Sequence, residues 1–231
     1  MNDKFNQSYY QFNRQNVDRI GNLFYSNIIK KNFKFKSYLD FGCGVGFLLK
    51  RIEQVKGVKN IFGIETNKFA IKESEKNTKL SKIYKNIDEI HEKLDLVSML
   101  HVVEHIDDDD ILILLKKIKS KLTKNARLLI STPAKNCLAH KVKNNDWIGF
   151  KDPTHINLKK YDEWIELFKK MNLIVLNTYS DGLWDFPYGR FINNFRYLKI
   201  YFLMFIQIFF GVLLLKYDEG ETFIFILKND D

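Results

Sequence analysis

The stretch Tyr38–Glu53, YLDFGCGVGFLLKRIE, carries an apolar run onto an acid, passes three glycines at alternate positions and enters a helical pattern. A strand turning sharply into a helix is the opening unit of a doubly wound sheet, in which ligands collect at the carboxyl ends of the strands. Gly42, Gly44 and Gly46 occupy the turn, where glycine admits positive φ and lets a ligand rest on the backbone with no Cβ in the way. A dinucleotide fingerprint would place its third glycine where Phe47 stands, and no Gly-Lys-Ser/Thr follows to make a P-loop. Asp40, two residues ahead of Gly42, would repel a pyrophosphate and attract an ammonium group. The pattern therefore favours a ligand with a positive amino group, against the alternative of a purely structural glycine turn.

On either side of this turn the chain alternates short apolar runs with helical spacing. The patterns predict strands over 36–41, 59–64, 81–84, 95–100 and 126–131, and helices over 46–55, 67–77, 109–121 and 158–170. Strands separated by helices pair in parallel through crossovers, so the expectation is a Rossmann-like, doubly wound α/β sheet. NLIVLNTYS and ETFIFILKN read as two further strands, making seven, the last of them antiparallel. Val17, Ile20, Phe24 and Ile28 follow helical spacing, so residues 16–31 form an amphipathic helix packed on the core.

Three acidic or histidine-bearing segments fall on the rim that the glycine turn defines. Glu65 ends the second strand, where a carboxylate accepts both hydroxyls of a ribose diol. It could equally complement the dipole of the next helix. LDLVSMLHVVEHIDDDD brings His101, Glu104 and His105 to the end of the fourth strand, with Asp107–Asp110 capping the next helix. Finally, ARLLISTP supplies a fifth strand closed by Pro133.

Taken together, LDFGCGVG, GIETN, LDLVSMLHVVEHIDD and LLISTP resemble class I S-adenosylmethionine-dependent methyltransferases of the small-molecule branch, including ubiquinone-biosynthesis O-methyltransferases. The resemblance covers about 36–180 and returns at 220–228. It implies S-adenosylmethionine as cofactor, with the ammonium near Asp40, the glycine turn of Gly42, Cys43, Gly44 and Gly46 beneath it, and the ribose at Glu65 and Thr66. It implies adenine contacts near Asn86, Ile87 and Asp88, and the methionine end near Leu100, His101 and Val102. Similar enzymes place a histidine after strand five facing the acceptor, which makes His155 the first candidate for general base or acceptor-orienting group and His101 the second. A histidine capping the helix at 158 is the alternative for His155. The transfer, expected at an oxygen of a small-molecule, glycan or lipid-linked acceptor by in-line displacement, requires no metal.

Net charge is +9, with lysines spread along the chain, which suits anionic partners but forms no single basic stripe. A nucleic-acid methyltransferase is the enzyme alternative, but the Asn/Asp-Pro-Pro-aromatic motif and an RNA-binding module are missing, so no nucleic-acid partner is expected. A cofactor-binding but non-catalytic subunit is the other alternative. Two cysteines, Cys43 and Cys137, offer no disulfide framework or zinc spacing, and the polar N-terminus lacks a signal-peptide core, so a cytoplasmic location is expected.

The expected organisation is an N-terminal helical segment (1–34), a cofactor-binding domain (35–180 and 218–231) and an apolar helical insert (181–217). Residues 200–215 carry no charge and are flanked by Arg190, Arg196, Lys199 and Lys216. Sixteen helical residues span about 24 Å, short of the roughly 30 Å hydrocarbon core. The insert is read as an acceptor lid, a homodimer contact, the wall of an acceptor pocket, or a peripheral membrane contact through 197–216 that would reach a lipid-linked acceptor.

Overall fold

The structure, a computed structural model, describes residues 17–188 and 195–230. The polar stretch 1–16 and Arg190 lie outside the described residues. Seven strands form one sheet: β1 (Ser37–Phe41), β2 (Asn60–Ile64), β3 (Lys82–Tyr84), β4 (Leu94–Leu100), β5 (Leu122–Pro133), β6 (Leu173–Tyr179) and β7 (Thr222–Asn229). Their order is β3-β2-β1-β4-β5-β7-β6. Neighbours from β3 to β5 pair in parallel, and β7 runs antiparallel to both β5 and β6. The expected fold class is present.

The central strands are buried on both faces, which is why they read as nearly continuous apolar runs. Leu94, Leu96, Val97 and Met99 of β4 and Leu128, Leu129 and Ile130 of β5 are fully buried. Helices α1 (Ile20–Asn32), α2 (Phe47–Ile52), α3 (Lys68–Asn77), α4 (Asp108–Lys121) and α7 (Tyr161–Lys170) cover the sheet, with short helices α5 (Leu138–Lys143) and α6 (Ile148–Lys151) between β5 and α7. Helix α4 starts as its acids predict. Asp107 Oδ1 accepts from Asp110 N (3.0 Å), while Asp108–Asp110 fill the first turn and Lys119 and Lys121 the last.

Several boundaries differ from the spacing. Helix α1 begins at Ile20 rather than 16, leaving Val17 and Ile20 exposed while Phe24 and Ile28 are buried. Helix α2 stops at Ile52 rather than 55, where the chain tightens into i→i−3 turns (Gln54 N to Arg51 O, Val55 N to Ile52 O), and the Glu53 carboxylate accepts the amides of Lys79, Leu80 and Ser81. Helix α7 begins at Tyr161 rather than 158, and its buried residues are Trp164, Leu167 and Phe168. Strand β5 starts four residues before 126, because Thr123 Oγ1 donates to Asp95 Oδ1 (3.0 Å) and holds this polar segment beside β4. Helices α5 and α6 were not foreseen; six and four residues are too short to establish a period.

The insert does form a helix, α8 (Phe195–Phe210). It lies along α1: Asn27 Nδ2 donates to Ile208 O (2.8 Å), and Asn32 Nδ2 donates to Gly211 O (2.7 Å). Gly211 has φ +65°, and a Cβ there would come within 2.2 Å of Asn27 O. Only glycine lets the end of α8 sit this close to α1.

Candidate active site

The carboxyl ends of β1, β2 and β4 open onto one large cavity of about 1010 Å³. Gly42, Gly44 and Gly46 all have positive φ, at +78°, +52° and +83°. The amides of Gly42 and Cys43 donate to Ile64 O at 2.8 and 3.0 Å, tying the glycine turn to the end of β2. A Cβ on Gly42 would lie 2.5 Å from Val102 Cγ2, so the turn can pass the end of β4 only without a side chain. The turn is a bare backbone ledge facing the cavity.

Two buried carboxylates flank it. Asp40 Oδ1 accepts from Ser98 Oγ (2.6 Å), which in turn is 2.6 Å from the Tyr38 hydroxyl. Burial drives the Asp40 carboxyl up to about 7; the Ser98 bond opposes this and the nearby Glu65 charge adds to it. A cation placed beside Asp40 would relieve that penalty. Glu65 Oε1 accepts from the amides of Thr66 and Asn67 (2.7 and 2.9 Å), and Oε2 accepts from Gly44 N (3.0 Å). The same carboxylate thus steadies the entry to α3 and the glycine turn while lining the cavity. Asn67, not Glu65, is the N-cap of α3.

Of the residues expected at the cofactor, Asp40, Gly42, Cys43, Gly44, Gly46, Glu65, Thr66, Asn86, Ile87, Leu100 and His101 line this cavity. Asp88 is the correction. It is not part of the cavity lining; its carboxylate pairs with Lys117 Nζ (2.6 Å) on α4, and Asn86 caps the turn at Ile87–Glu89. Ile106, Ile113 and Leu114 add an apolar wall that sequence spacing did not single out. The ledge without side chains, the two acids and the cavity fit a nucleoside carrying an ammonium group.

The other half of the cavity is built from distant elements. His101 sits at φ +56°, and its amide donates to Ser131 O (2.9 Å), turning the side chain out of β4. Its side chain is 44% exposed, with Nδ1 3.3 Å from Glu104 Oε1 and Nε2 3.4 Å from the Tyr25 hydroxyl. Partial burial works against the imidazolium, but the hydrogen bond and charge of Glu104 outweigh it and hold His101 above its usual range. Glu104 is 0% exposed; burial would raise its pKa, but His101 brings it below the usual range. Burial keeps Tyr25 well above the usual phenol range, so its hydroxyl, 2.6 Å from Ser131 Oγ, stays protonated.

His155 is not a helix cap, since α7 begins six residues later with Lys160 as its N-cap. Its Nδ1 stands 2.8 Å from Gly149 O, and its ring is 4.9 Å from that of His105. Both histidines line the cavity. Asp181 and Glu221 were missed by the sequence reading. Both are buried on the cavity wall, and burial raises both, Glu221 to about 7. They follow β6 and precede antiparallel β7, and that pairing is what carries them to the rim where the parallel strands end. Tyr25 and Trp184 also line the wall; no local pattern marks them as facing it.

Among known proteins, the family model described as a methyltransferase domain matches residues 6–178. No curated protein matches the chain significantly. Among solved structures, the plantazolicin methyltransferase BpumL in complex with a triazolic desmethylPZN analog and SAH is similar at 13% identity and TM-score 0.67, covering 97% of this chain and 92% of that one. A SAM-dependent methyltransferase from Archaeoglobus fulgidus is similar at 18% identity and TM-score 0.62, covering 96% and 99%. The mitomycin 7-O-methyltransferase MmcR is similar at 14% and TM-score 0.60, covering 90% of this chain but 54% of that longer one. At these identities the likeness shows the fold.

Proposed function

This chain belongs to the methyltransferase-domain family, and from that premise we propose that it transfers a methyl group from S-adenosylmethionine to an oxygen of a small-molecule acceptor. The observation that carries the reading is the bare ledge at Gly42–Gly46, with Asp40 and Glu65 on either side of it. Asp40 would take the ammonium, Glu65 and Thr66 the ribose, and Asn86 and Ile87 the adenine. The cofactor supplies an activated methyl group on a positive sulfur.

The chain's own residues then have two tasks. The first is to hold the acceptor oxygen in line with the methyl carbon at near-contact distance, where effective molarities reach ~10⁵ M or more. Tyr25, Trp184 and His155 line the acceptor side and can do this. The second is to take the hydroxyl proton. His101 is proposed as the general base, with Glu104 orienting its Nδ1 and balancing the imidazolium that forms. The oxygen–carbon bond forms as the carbon–sulfur bond breaks, its electron pair staying on sulfur. His155 is assigned to orienting the acceptor.

Asp181 and Glu221 at the acceptor end favour a polar, hydroxyl-bearing or cationic portion of the acceptor over a wholly apolar one. The outward face of α8 supports an additional peripheral membrane contact, with Leu198, Phe202, Phe205, Phe209 and Phe210 all exposed.

Calorimetric titration with S-adenosylhomocysteine tests the reading, followed by release of that product across a panel of phenols and sugar-like alcohols. The expected results are saturable micromolar binding and turnover with at least one class. His101→Ala should still bind product, within about tenfold of the parent, while losing about 10²–10⁴-fold in turnover. Tight binding of a dinucleotide in place of the product would overturn the assignment, and product binding without turnover on any acceptor would favour a non-catalytic subunit.

A further inference from the structure

Glu104, His105 and His155 bring three potential ligand atoms within 4.8 Å of one another. They come from two separate segments, the turn after β4 and the loop after α6. These are sewn together by the amides of Ile156 and Asn157, which both donate to Glu104 O (3.0 Å each). We propose that these three residues form a binding site for one first-row divalent transition-metal ion, of the zinc class, on the floor of the acceptor half of the cavity.

Three independent observations support the site. First, each imidazole presents Nδ1 to a main-chain carbonyl: His105 Nδ1 lies 3.1 Å from Thr154 O, and His155 Nδ1 lies 2.8 Å from Gly149 O. A carbonyl oxygen only accepts, so the tautomer that satisfies these contacts carries its proton on Nδ1 and leaves the lone pair on Nε2. That is the arrangement in which protein shells orient metal-binding histidines. Second, Glu104 is fully buried, and neither carboxylate oxygen has a hydrogen bond of good geometry; His101 Nδ1 lies 3.3 Å from Oε1. Oε2 is left for a cation. Third, Asp152 Oδ2 stands 3.9 Å from His155 Nε2, so a second carboxylate lies beside the cluster.

Two imidazoles and a carboxylate suit zinc, iron, cobalt or manganese rather than calcium, which prefers oxygen ligands alone. Ligand atoms around a tetrahedral ion stand about 3.4 Å apart for bonds of ~2.1 Å. Closing from 4.8 Å to that spacing asks for side-chain rotation within the loop. His105, Asp152 and His155 line the cavity, so the ion's open position would face the acceptor. There it would hold the acceptor hydroxyl oxygen and lower its pKa before the proton leaves for His101. This role deepens the proposed function and rests on it; binding of the ion does not.

The test uses the full chain stripped with a chelator, titrated calorimetrically with zinc chloride and spectroscopically with cobalt chloride, alongside S-adenosylhomocysteine as a check on folding. The parent should bind one equivalent of zinc at micromolar or tighter Kd and give the intense visible bands of low-coordinate cobalt. His155→Ala and Glu104→Gln should each weaken zinc binding by about tenfold or more, while product binding stays within about twofold. His155→Gln replaces any variant that no longer binds product. Parent protein that binds product but no zinc sinks the metal site and leaves the methyltransferase reading standing. Zinc affinity unchanged in both variants also overturns it. Failure of the parent to bind product falls on the methyltransferase reading instead.

Discussion

Asp40 is a carboxylate with two opposed demands. Unfolded, it titrates near 3.8; folded without a cation, it is pushed to about 7 because burial penalises its charge. The folded state therefore holds the proton more tightly than the unfolded chain, and stability falls as pH rises through this window. Glu221, also at about 7, acts in the same direction. Asp40→Asn should lessen this fall, recovering ~2–4 kcal/mol at pH 8 in denaturant titrations of the ligand-free protein. For ligand binding the sign reverses. Product affinity should rise as pH passes through about 7 in the parent, and Asp40→Asn should bind about tenfold or more weakly at pH 8 with that rise abolished. A pH-independent affinity in the parent would remove Asp40 from the ammonium site. Asp40 and the glycines could be read from sequence because a side-chain-free turn is a local requirement of backbone φ. Asp181 and Glu221 could not, since an acid beside a strand looks the same whether it faces water or a cavity.

One side chain ties helix α8 to the sheet edge through four hydrogen bonds. Gln207 is fully buried; its Nε2 donates to Ser180 O and Asp181 O at 3.2 Å, and its Oε1 accepts the amides of Leu214 and Leu215 at 2.7 and 2.9 Å. It closes the turn after α8 and anchors the segment that presents Asp181 to the cavity. Gln207→Ala would strand four main-chain groups, for an expected loss of about 2–4 kcal/mol in urea unfolding. A change under ~0.5 kcal/mol would mean that water satisfies them instead. The helix itself was legible from its uncharged run. Which side faces inward was not, since 200–215 is apolar all round and has no polar stripe to orient it.

In the assembled protein, Ile200, Met204 and Ile208 of α8 face the core while Phe202 is 63% and Phe210 64% exposed. No described helix is long and apolar enough to cross a membrane. An exposed aromatic row on a chain of net charge +9 instead suits the surface of an anionic bilayer. Vesicles containing phosphatidylserine should co-sediment the parent, neutral vesicles less so, and Phe202→Ser/Phe205→Ser/Phe209→Ser should abolish sedimentation with little change in unfolding free energy. Dimerisation in light scattering that the triple variant abolishes, without vesicle binding, would assign the row to a second copy. The strand and helix succession, the glycine turn and the acid ending β2 were all legible in the chain, because each follows from backbone sterics or short-range periodicity. Contacts between residues far apart in the chain were not. Folding set Tyr25 against His101 across 76 positions and Glu104 beside His155 across the cavity floor. Such meetings depend on where packed elements come to rest, and no local pattern of residues encodes that position.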